Sequence, residues 1–143
     1  MKLTIAIPTY NRNEILKANL EKLLPQLTKD CRVIIFDNCS DIPVKDSIKE
    51  LIEIHSDSEI SVIRNRYNIG MTANILKCFE ACPDPWLWIL GDDDEVTDNA
   101  VTTILRDIDN RRDLHFITYA WDEDSFKREK EVITKGIDQF LET

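Results

Sequence analysis

The segment WLWILGDDD, residues 86–94, is an apolar run that stops abruptly at a glycine and three aspartates. A run of this kind predicts a buried strand that ends in a polar loop. Earlier segments at residues 3–7, 32–36 and 60–63 have the same pattern, and each is followed by polar residues. Another apolar run predicts a fifth strand at residues 114–120.

Apolar residues at helical spacing separate these predicted strands. Asn11 is the predicted N-cap of the first helix, with Glu14 completing a capping box. The apolar positions of the helices are Ile15, Leu16, Leu20, Leu23, Leu24 and Leu27; Val44, Ile48, Leu51 and Ile52; Ile75, Leu76 and Phe79; and Val101, Ile104, Leu105 and Ile108. The alternation predicts an α/β fold, a mostly parallel twisted sheet with helices on both faces.

The length of 143 residues suits a single domain with one core. Residues 121–135 are densely charged and predict a loop or short hairpin, and residues 136–141 resemble the first turn of a helix. Because that pattern has barely begun where the sequence stops, we expect residues 1–143 to be one domain that is truncated at its C-terminus.

Charge and hydropathy narrow the class of protein. The formal net charge of -9 disfavours nucleic acid as a partner, because phosphate backbones are bound through clustered Lys and Arg. No apolar run approaches the roughly 18 residues that span a bilayer, and the start lacks the pattern of a signal peptide. We therefore expect a cytoplasmic protein, with peripheral attachment to the inner face of the membrane left open.

The four cysteines do not have the spacing of a strong metal motif. Cys78 and Cys82 lie four positions apart on a predicted helix, which leaves a zinc site conceivable. No C-x-x-C pair is present, and neither histidine has ligand-like spacing. The cysteines are therefore interpreted as free thiols.

The candidate binding residues lie at the predicted strand ends. In open α/β sheets, ligands bind beyond the carboxyl ends of the strands. The polar or turn-forming residues there are Pro8, Thr9, Tyr10 and Arg12 after the first strand; Asp37 and Asn38 after the second; Arg64, Asn68 and Gly70 after the third; and Asp92, Asp93 and Asp94 after the fourth. All of these residues are expected at one edge of the sheet.

The three aspartates repel one another, and a hard divalent cation such as Mg2+ or Mn2+ would relieve that repulsion. The alternative is a solvated turn that caps the following helix. Asp37 could accept a hydrogen bond from a base or a ribose, or could form a local Asx-turn. Tyr10 could stack on a nucleoside or pack at the edge of the core.

Arg12 and Arg64 could bind phosphate, since guanidinium matches phosphate bidentately, or could be surface charges. Gly70 follows a predicted tight turn that needs a positive φ. The glycine-rich dinucleotide and P-loop motifs are absent from the sequence, as is the nucleophile elbow of the serine hydrolases.

Four motifs, at residues 5–12, 36–41, 64–70 and 90–94, together resemble family 2 glycosyltransferases of the GT-A fold. The resemblance runs from Lys2 to about Ala120. The Gly-Asp-Asp-Asp motif and the Asn-Ile-Gly loop are similar to an abequosyltransferase-like bacterial branch. The chain is therefore expected to be the N-terminal, donor-binding part of such an enzyme, with a Rossmann-like nucleotide-diphospho-sugar-binding domain.

The resemblance implies a metal-dependent transfer of sugar from a nucleotide-diphospho-sugar, most commonly a UDP-sugar, in bacterial surface polysaccharide synthesis. The acceptor would be a saccharide or a lipid-linked saccharide, and the cofactor Mn2+ or Mg2+.

The resemblance also implies residue roles. Thr9, Tyr10 and Arg12 would lie against the nucleoside, and Asp37 would meet the base. Asp93 would lie near the ribose or diphosphate. The metal ligands would be Asp94 and, at the variable middle position, Asp92. The family often has Asp where this chain has Gly91, so one usual carboxylate is missing. No catalytic base is assigned, because that residue is expected beyond residue 143.

Three alternatives remain open on the sequence alone. A nucleotidyltransferase should have a Gly-rich basic loop after the first strand, and residues 8–12 contain no glycine. A non-catalytic nucleotide-sugar-binding module would fit the short chain. A phosphoacceptor domain would need an aspartate at the end of the third strand, where this chain has Arg64.

Overall fold

The computed structural model describes residues 1–111 and 115–119. The strands are β1 (Leu3–Thr9), β2 (Cys31–Asp37), β3 (Glu59–Arg64) and β4 (Trp86–Ile89). The helices are α1 (Asn13–Leu23), α2 (Val44–Ser47), α3 (Lys49–Ile54), α4 (Met71–Glu80) and α5 (Ala100–Asn110), with a short 3₁₀ turn at Leu24–Gln26. In the part of the chain that the structure describes, no helix is long and apolar enough to cross a membrane.

The strands form one parallel sheet in the order β3-β2-β1-β4. This order begins as a Rossmann sheet does, with the first strand between the second and the fourth, whereas a flavodoxin-like sheet has the order 2-1-3. The prediction of a mostly parallel α/β sheet is therefore confirmed. Because every pair is parallel, all carboxyl ends lie at the same edge, which we call the carboxyl edge.

Helices cover both faces of the sheet. Side chains alternate along a strand, so each strand contributes apolar residues to both faces. The larger core combines Leu3, Ile5 and Ile7 of β1 with buried leucines of α1 and buried residues of α5. The smaller core, on the other face, includes Ala6, Ile34 and Phe36 with Cys78 of α4. The predicted two-sided coverage is confirmed.

Two predictions about helices are wrong. Asn11 does not cap α1: the N-cap position is Arg12, without a side-chain hydrogen bond, and Asn11 has a left-handed φ of 53°. The predicted buried stripe of α4 is also wrong, since Leu76 and Phe79 are 57% and 59% exposed. The residues of α4 that are buried are Asn74 and Cys78.

The predicted fifth strand is not found, because residues 115–119 carry no strand assignment in the structure. The loop predicted at residues 121–135 and the helix predicted at residues 136–141 lie outside the described residues. All four cysteines are free thiols, as predicted. Burial raises the pKa of the Cys78 thiol to about 11, which is typical of an inert core cysteine.

Asp84 holds the opposite, amino edge of the sheet together. Its side chain is only 5% exposed and accepts hydrogen bonds from Thr4 Oγ1 at 2.8 Å and Arg32 Nε at 2.6 Å. Burial would raise the pKa of this carboxyl, but the hydrogen bonds from Thr4 and Arg32 outweigh burial, so the pKa is lowered. The ionised carboxylate therefore joins β1 and β2 to the segment before β4.

The lowered pKa of Asp84 makes stability depend on pH. Its contribution is present above the unfolded-state pKa of about 3.9 and is lost as the pH falls through the lower folded-state value. We expect Asp84→Asn to reduce the free energy of unfolding at neutral pH by about 1–3 kcal/mol, because Thr4 and Arg32 lose a charged acceptor. In urea titrations, the difference in the free energy of unfolding between wild type and Asp84→Asn should become smaller below a pH of about 4.

The control for this prediction is Asp109→Asn, which removes the exposed partner of Lys2 near the same edge. It should reduce the free energy of unfolding much less than Asp84→Asn does, because solvent screens an exposed ion pair. Wild type and Asp84→Asn should not differ by the same free energy of unfolding at every pH. A difference that stays constant on acidification would contradict the assigned role of Asp84.

Candidate functional site

Backbone hydrogen bonds bring the loops of the carboxyl edge next to one another. Asn38 N donates to Thr9 O at 2.9 Å, and Asn65 N donates to Asp37 O at 2.9 Å. On the other side of β1, Leu90 N donates to Ala6 O at 3.0 Å. The loops after β1, β2, β3 and β4 therefore converge at one edge, as predicted.

Asn11 joins the loop after β1 to the loop after β2. Its side chain donates to Asp41 Oδ2 at 3.1 Å and accepts from Asp41 N at 2.7 Å. Its backbone N–H donates to Ser40 Oγ at 2.9 Å. These contacts accompany the left-handed backbone at Asn11, which directly follows Tyr10, a residue that is 42% exposed.

Asp37 is fully buried and accepts hydrogen bonds with both carboxylate oxygens. Ser40 N donates to Oδ1 at 2.8 Å, and Val44 N and Arg64 Nη1 donate to Oδ2. Burial would raise the pKa of Asp37, but the hydrogen bonds from Ser40 and Arg64 outweigh burial and lower it. The contacts with Ser40 N and Val44 N agree with a local turn, whereas the contact with Arg64 joins the end of β2 to β3. Contact of Asp37 with a base stays a prediction.

Arg64 also donates from Nη2 to Ser40 O at 2.7 Å. Its guanidinium therefore compensates the buried charge of Asp37 and closes the loop after β2. Contact between Arg64 and phosphate stays a prediction.

An asparagine network supports the loop after β3. Asn38, which is 3% exposed, accepts from Asn65 Nδ2 at 2.9 Å and donates to Asn68 Oδ1 at 2.8 Å. Asn38 Oδ1 also accepts from Ile69 N at 3.0 Å. The loop that contains Asn68 is thereby fastened to the end of β2.

The network continues into α4 through residues that the sequence analysis did not select. Asn74 is buried, accepts from Asn65 Nδ2 at 2.9 Å and donates to Phe36 O at 2.9 Å. Lys77 Nζ donates to Asn65 Oδ1 at 2.6 Å. A polar residue on the sheet-facing side of a helix is the sequence signal that could have identified Asn74.

Gly70 precedes α4 with φ of 85° and ψ of 157°. This region of the backbone map is essentially restricted to glycine. Its N–H donates to Asn68 Oδ1 at 2.8 Å, so the turn predicted at this point is present.

Asp92 is the buried member of the acidic loop, residues 91–95. Thr9 Oγ1 donates to its Oδ2 at 2.7 Å, and Arg12 Nη1 donates to its Oδ1 at 3.1 Å. Asn19, a second residue that the sequence analysis missed, donates from its side chain to Asp92 O at 2.7 Å. The metal-ligand role of Asp92 stays a prediction, because both of its oxygens are engaged in this structure.

Asp93 and Asp94 lie on the open side of the acidic loop. Asp93 is exposed and accepts from Arg12 Nη1 at 2.8 Å. Asp94 Oδ2 accepts from Gly91 N at 3.0 Å, whereas Oδ1 accepts no hydrogen bond from the described residues. A Cβ atom at position 91 would lie 2.7 Å from Asp94 Oδ2, so the glycine makes room for this carboxylate.

A metal site at the acidic loop stays a prediction. Within residues 1–111 and 115–119, no three His, Cys, Asp or Glu side chains converge as a complete ligand set. Mg2+ typically binds through one or two carboxylates and takes its other ligands from water and phosphate. The partly exposed Asp94 carboxylate, with Oδ1 available, suits that arrangement.

A Rossmann-like parallel sheet with an acidic loop at its carboxyl edge defines the class: a GT-A type α/β domain. The sequence profile of Glycosyl transferase family 2 matches residues 4–140, and the chain belongs to this family. Both the fold and the family agree with the expectation from the sequence motifs.

Individual relatives agree with this assignment. The chain is 28% identical over 120 residues to the abequosyltransferase RfbV of Salmonella typhimurium, covering 80% of this chain and 35% of the relative. The S. aureus TarS 1–349 structure in complex with UDP is similar at a TM-score of 0.67 and 18% identity, covering 78% of this chain and 33% of that one.

A mannosyltransferase from Pyrobaculum calidifontis, solved with GDP-Man and Mn2+, is similar at a TM-score of 0.67 and 14% identity. That alignment covers 75% of this chain and 32% of the other. The chain thus spans about a third of the length of the relatives it matches.

The asparagine network makes a matched pair of substitutions informative. Asn38→Asp replaces a buried donor with a carboxylate oxygen that faces Asn68 Oδ1. We expect it to lower the free energy of unfolding by about 1–3 kcal/mol, because a buried hydrogen bond becomes a repulsive contact. Hydrogen exchange should show faster exchange of the Ile69 and Gly70 amides.

Asn68→Asp adds the same charge but keeps the acceptor that Asn38 and Gly70 use, on an exposed residue. It should change stability by no more than about 0.5 kcal/mol. Equal losses in the two variants would contradict the network, since they would then reflect charge alone.

Proposed function

We propose that this chain is the donor-binding part of a glycosyltransferase that transfers a sugar from a nucleotide-diphospho-sugar. The observation that carries the proposal is the convergence of the loop containing Thr9 and Arg12 on Asp92 and Asp93, at the edge where open α/β sheets bind ligands. Family membership supports the reaction class. The whole chain, residues 1–143, would act as a single donor-binding domain.

The donor would lie across the carboxyl edge. Tyr10 is exposed next to β1 and offers an aromatic face to a base. Pro8 and Thr9 directly precede this residue at the end of β1. On the other side, Asn38 holds the loop that ends at Gly70. A UDP-sugar is the first donor to test, and the relatives solved with UDP and with GDP-Man support a nucleotide ligand.

The proposed cofactor is Mn2+ or Mg2+, held by Asp94 with Asp92 as a second ligand. Such a cation would offset the negative charge that builds on the departing nucleoside diphosphate. Thr9 and Asn19 would keep Asp92 in place, and Gly91 N would orient the Asp94 carboxylate. Arg12 and Asp93 would lie beside the ribose or the diphosphate.

The acceptor side is assigned from the sequence expectation alone. We propose a saccharide or a lipid-linked saccharide acceptor, in bacterial surface polysaccharide synthesis. The relative from Salmonella typhimurium, an abequosyltransferase, supports a bacterial glycosyl transfer. A cytoplasmic location, with peripheral attachment to the membrane left open, stays a prediction.

Thermal denaturation with UDP, GDP, CDP and dTDP, each with and without Mn2+, tests the donor site. A ligand that binds only the folded chain raises its melting temperature in proportion to the logarithm of ligand concentration. We expect one nucleotide to raise the Tm by several degrees, and more so with Mn2+. Asp94→Asn, which keeps an oxygen facing Gly91 N, should abolish the additional shift due to Mn2+.

Asp98→Asn is the control for Asp94, because Asp98 is an exposed carboxylate shortly after the acidic loop. It should keep the Mn2+-dependent shift. If no nucleotide changes the Tm of the folded chain, the donor-site proposal fails. If Asp94→Asn and Asp98→Asn behave alike, Asp94 is not the metal ligand.

Tyr10 provides an independent test of base stacking. Tyr10→Ala should weaken binding of the stabilising nucleotide by about fivefold or more, because stacking on an aromatic ring contributes roughly 1–3 kcal/mol per base. Tyr10→Phe keeps the ring and should bind within about twofold of wild type. Calorimetric titration measures both, and equal weakening by the two variants would assign the effect to the hydroxyl group.

A further inference from the structure

Arg12 occupies the position between two carboxylates of the acidic loop. Its Nη1 donates to Asp92 Oδ1 at 3.1 Å and to Asp93 Oδ2 at 2.8 Å. One nitrogen makes both contacts, and Nη2 and Nε donate to none of the described residues. The guanidinium therefore already places a positive charge where these carboxylates would attract a metal ion.

Arg12 compensates a charge that is costly to bury. The side chain of Asp92 is 8% exposed, and an ionised carboxylate in that position needs a partner of opposite charge. Among the residues that the structure describes, Arg12 is the cation within salt-bridge distance of Asp92. The other side-chain donor to this carboxylate, the Thr9 hydroxyl, is neutral.

The shape of the acidic loop does not depend on Arg12 alone. Thr9 holds the Asp92 side chain, and Asn19 holds its backbone carbonyl. Gly91 N holds Asp94. The Arg12 side chain is 49% exposed, so it can leave the loop without opening the core.

A divalent cation and Arg12 would compete for Asp92, because two positive charges at one carboxylate repel each other. A diphosphate would remove this competition. Guanidinium binds phosphate oxygens bidentately, and the two nitrogens of Arg12 that do not contact the acidic loop are available for that contact.

We propose that Arg12 is an internal counter-ion of Asp92 and Asp93. It weakens cation binding until a nucleoside diphosphate binds its guanidinium. This inference rests on the proposed function, and it goes further by coupling the two ligands. Arg12 would contact the diphosphate directly, and by leaving Asp92 it would make metal and nucleotide bind synergistically. The metal alone binds weakly, and the diphosphate frees Asp92 for the metal.

Arg12→Gln separates the two effects. Affinity for Mn2+ alone, measured from the electron paramagnetic resonance signal of free Mn2+, should rise about three- to tenfold, because a divalent ion no longer meets the guanidinium charge. Affinity for UDP in the presence of EDTA, measured by calorimetry, should fall by a similar factor. Misfolding would weaken both, so changes in opposite directions identify the counter-ion.

Lys22→Gln is the matched control. It removes one positive charge that pairs at 2.7 Å with Glu95 of the same loop, without touching the three aspartates. It should change Mn2+ affinity by less than about twofold. A rise of the same size in Lys22→Gln and Arg12→Gln would overturn the proposal, because the effect would then be general electrostatics.

The remaining outcomes separate this proposal from the proposed function. If wild type binds UDP with Mn2+ but Arg12→Gln leaves Mn2+ affinity unchanged or lower, the counter-ion role is wrong and the donor site stands. If wild type binds neither Mn2+ nor UDP, alone or together, both proposals fail.

Discussion

The parallel pairing of β1 with β2 on one side and β4 on the other is the constraint on which the site depends. It makes the loops after these strands leave the sheet at a common edge. Thr9 consequently reaches Asp92, 83 positions later in the chain, with a hydrogen bond of 2.7 Å. Without that pairing, three consecutive aspartates would be an ordinary solvated turn. Strand order, rather than acidity alone, therefore gives the acidic loop its chemical environment.

The carboxyl edge contains two buried aspartates, each compensated by an arginine, but the two pairs differ in how readily they can separate. Asp37 is bonded to the backbone of Ser40 as well as to Arg64, and Arg64 is also bonded to Ser40 O. Breaking that pair would leave an uncompensated buried charge at the carboxyl end of β2. In the Arg12–Asp92 pair, Asp92 is buried and Arg12 is half-exposed. A ligand could therefore bind Arg12 and separate it from Asp92.

The sequence was sufficient to predict features that depend on local pattern and strand direction: the strands of the sheet and the shared edge of their loops. It was insufficient where a contact joins distant segments. Asn11 has the local signature of an N-cap, but its side chain bonds to Asp41 in another loop. Asn74 is a polar residue of α4 that is buried against the sheet, where its side chain donates to Phe36 O. The Asp37–Arg64 pair follows from the β2–β3 register, which places these residues opposite each other.

Gly91 shows how the acidic loop differs from the pattern that the family often has. A side chain at this position would meet Asp94 Oδ2 at 2.7 Å, so an aspartate there is incompatible with the present position of Asp94. With glycine, the Asp94 carboxylate turns back onto the Gly91 N–H and leaves Oδ1 accessible. The loop therefore has one carboxylate fewer, but the backbone orients the carboxylate that remains. Mg2+ typically uses only one or two carboxylates and takes its other ligands from water and phosphate. For the proposed cation site, the orientation of Asp94 would therefore matter more than the number of acidic groups.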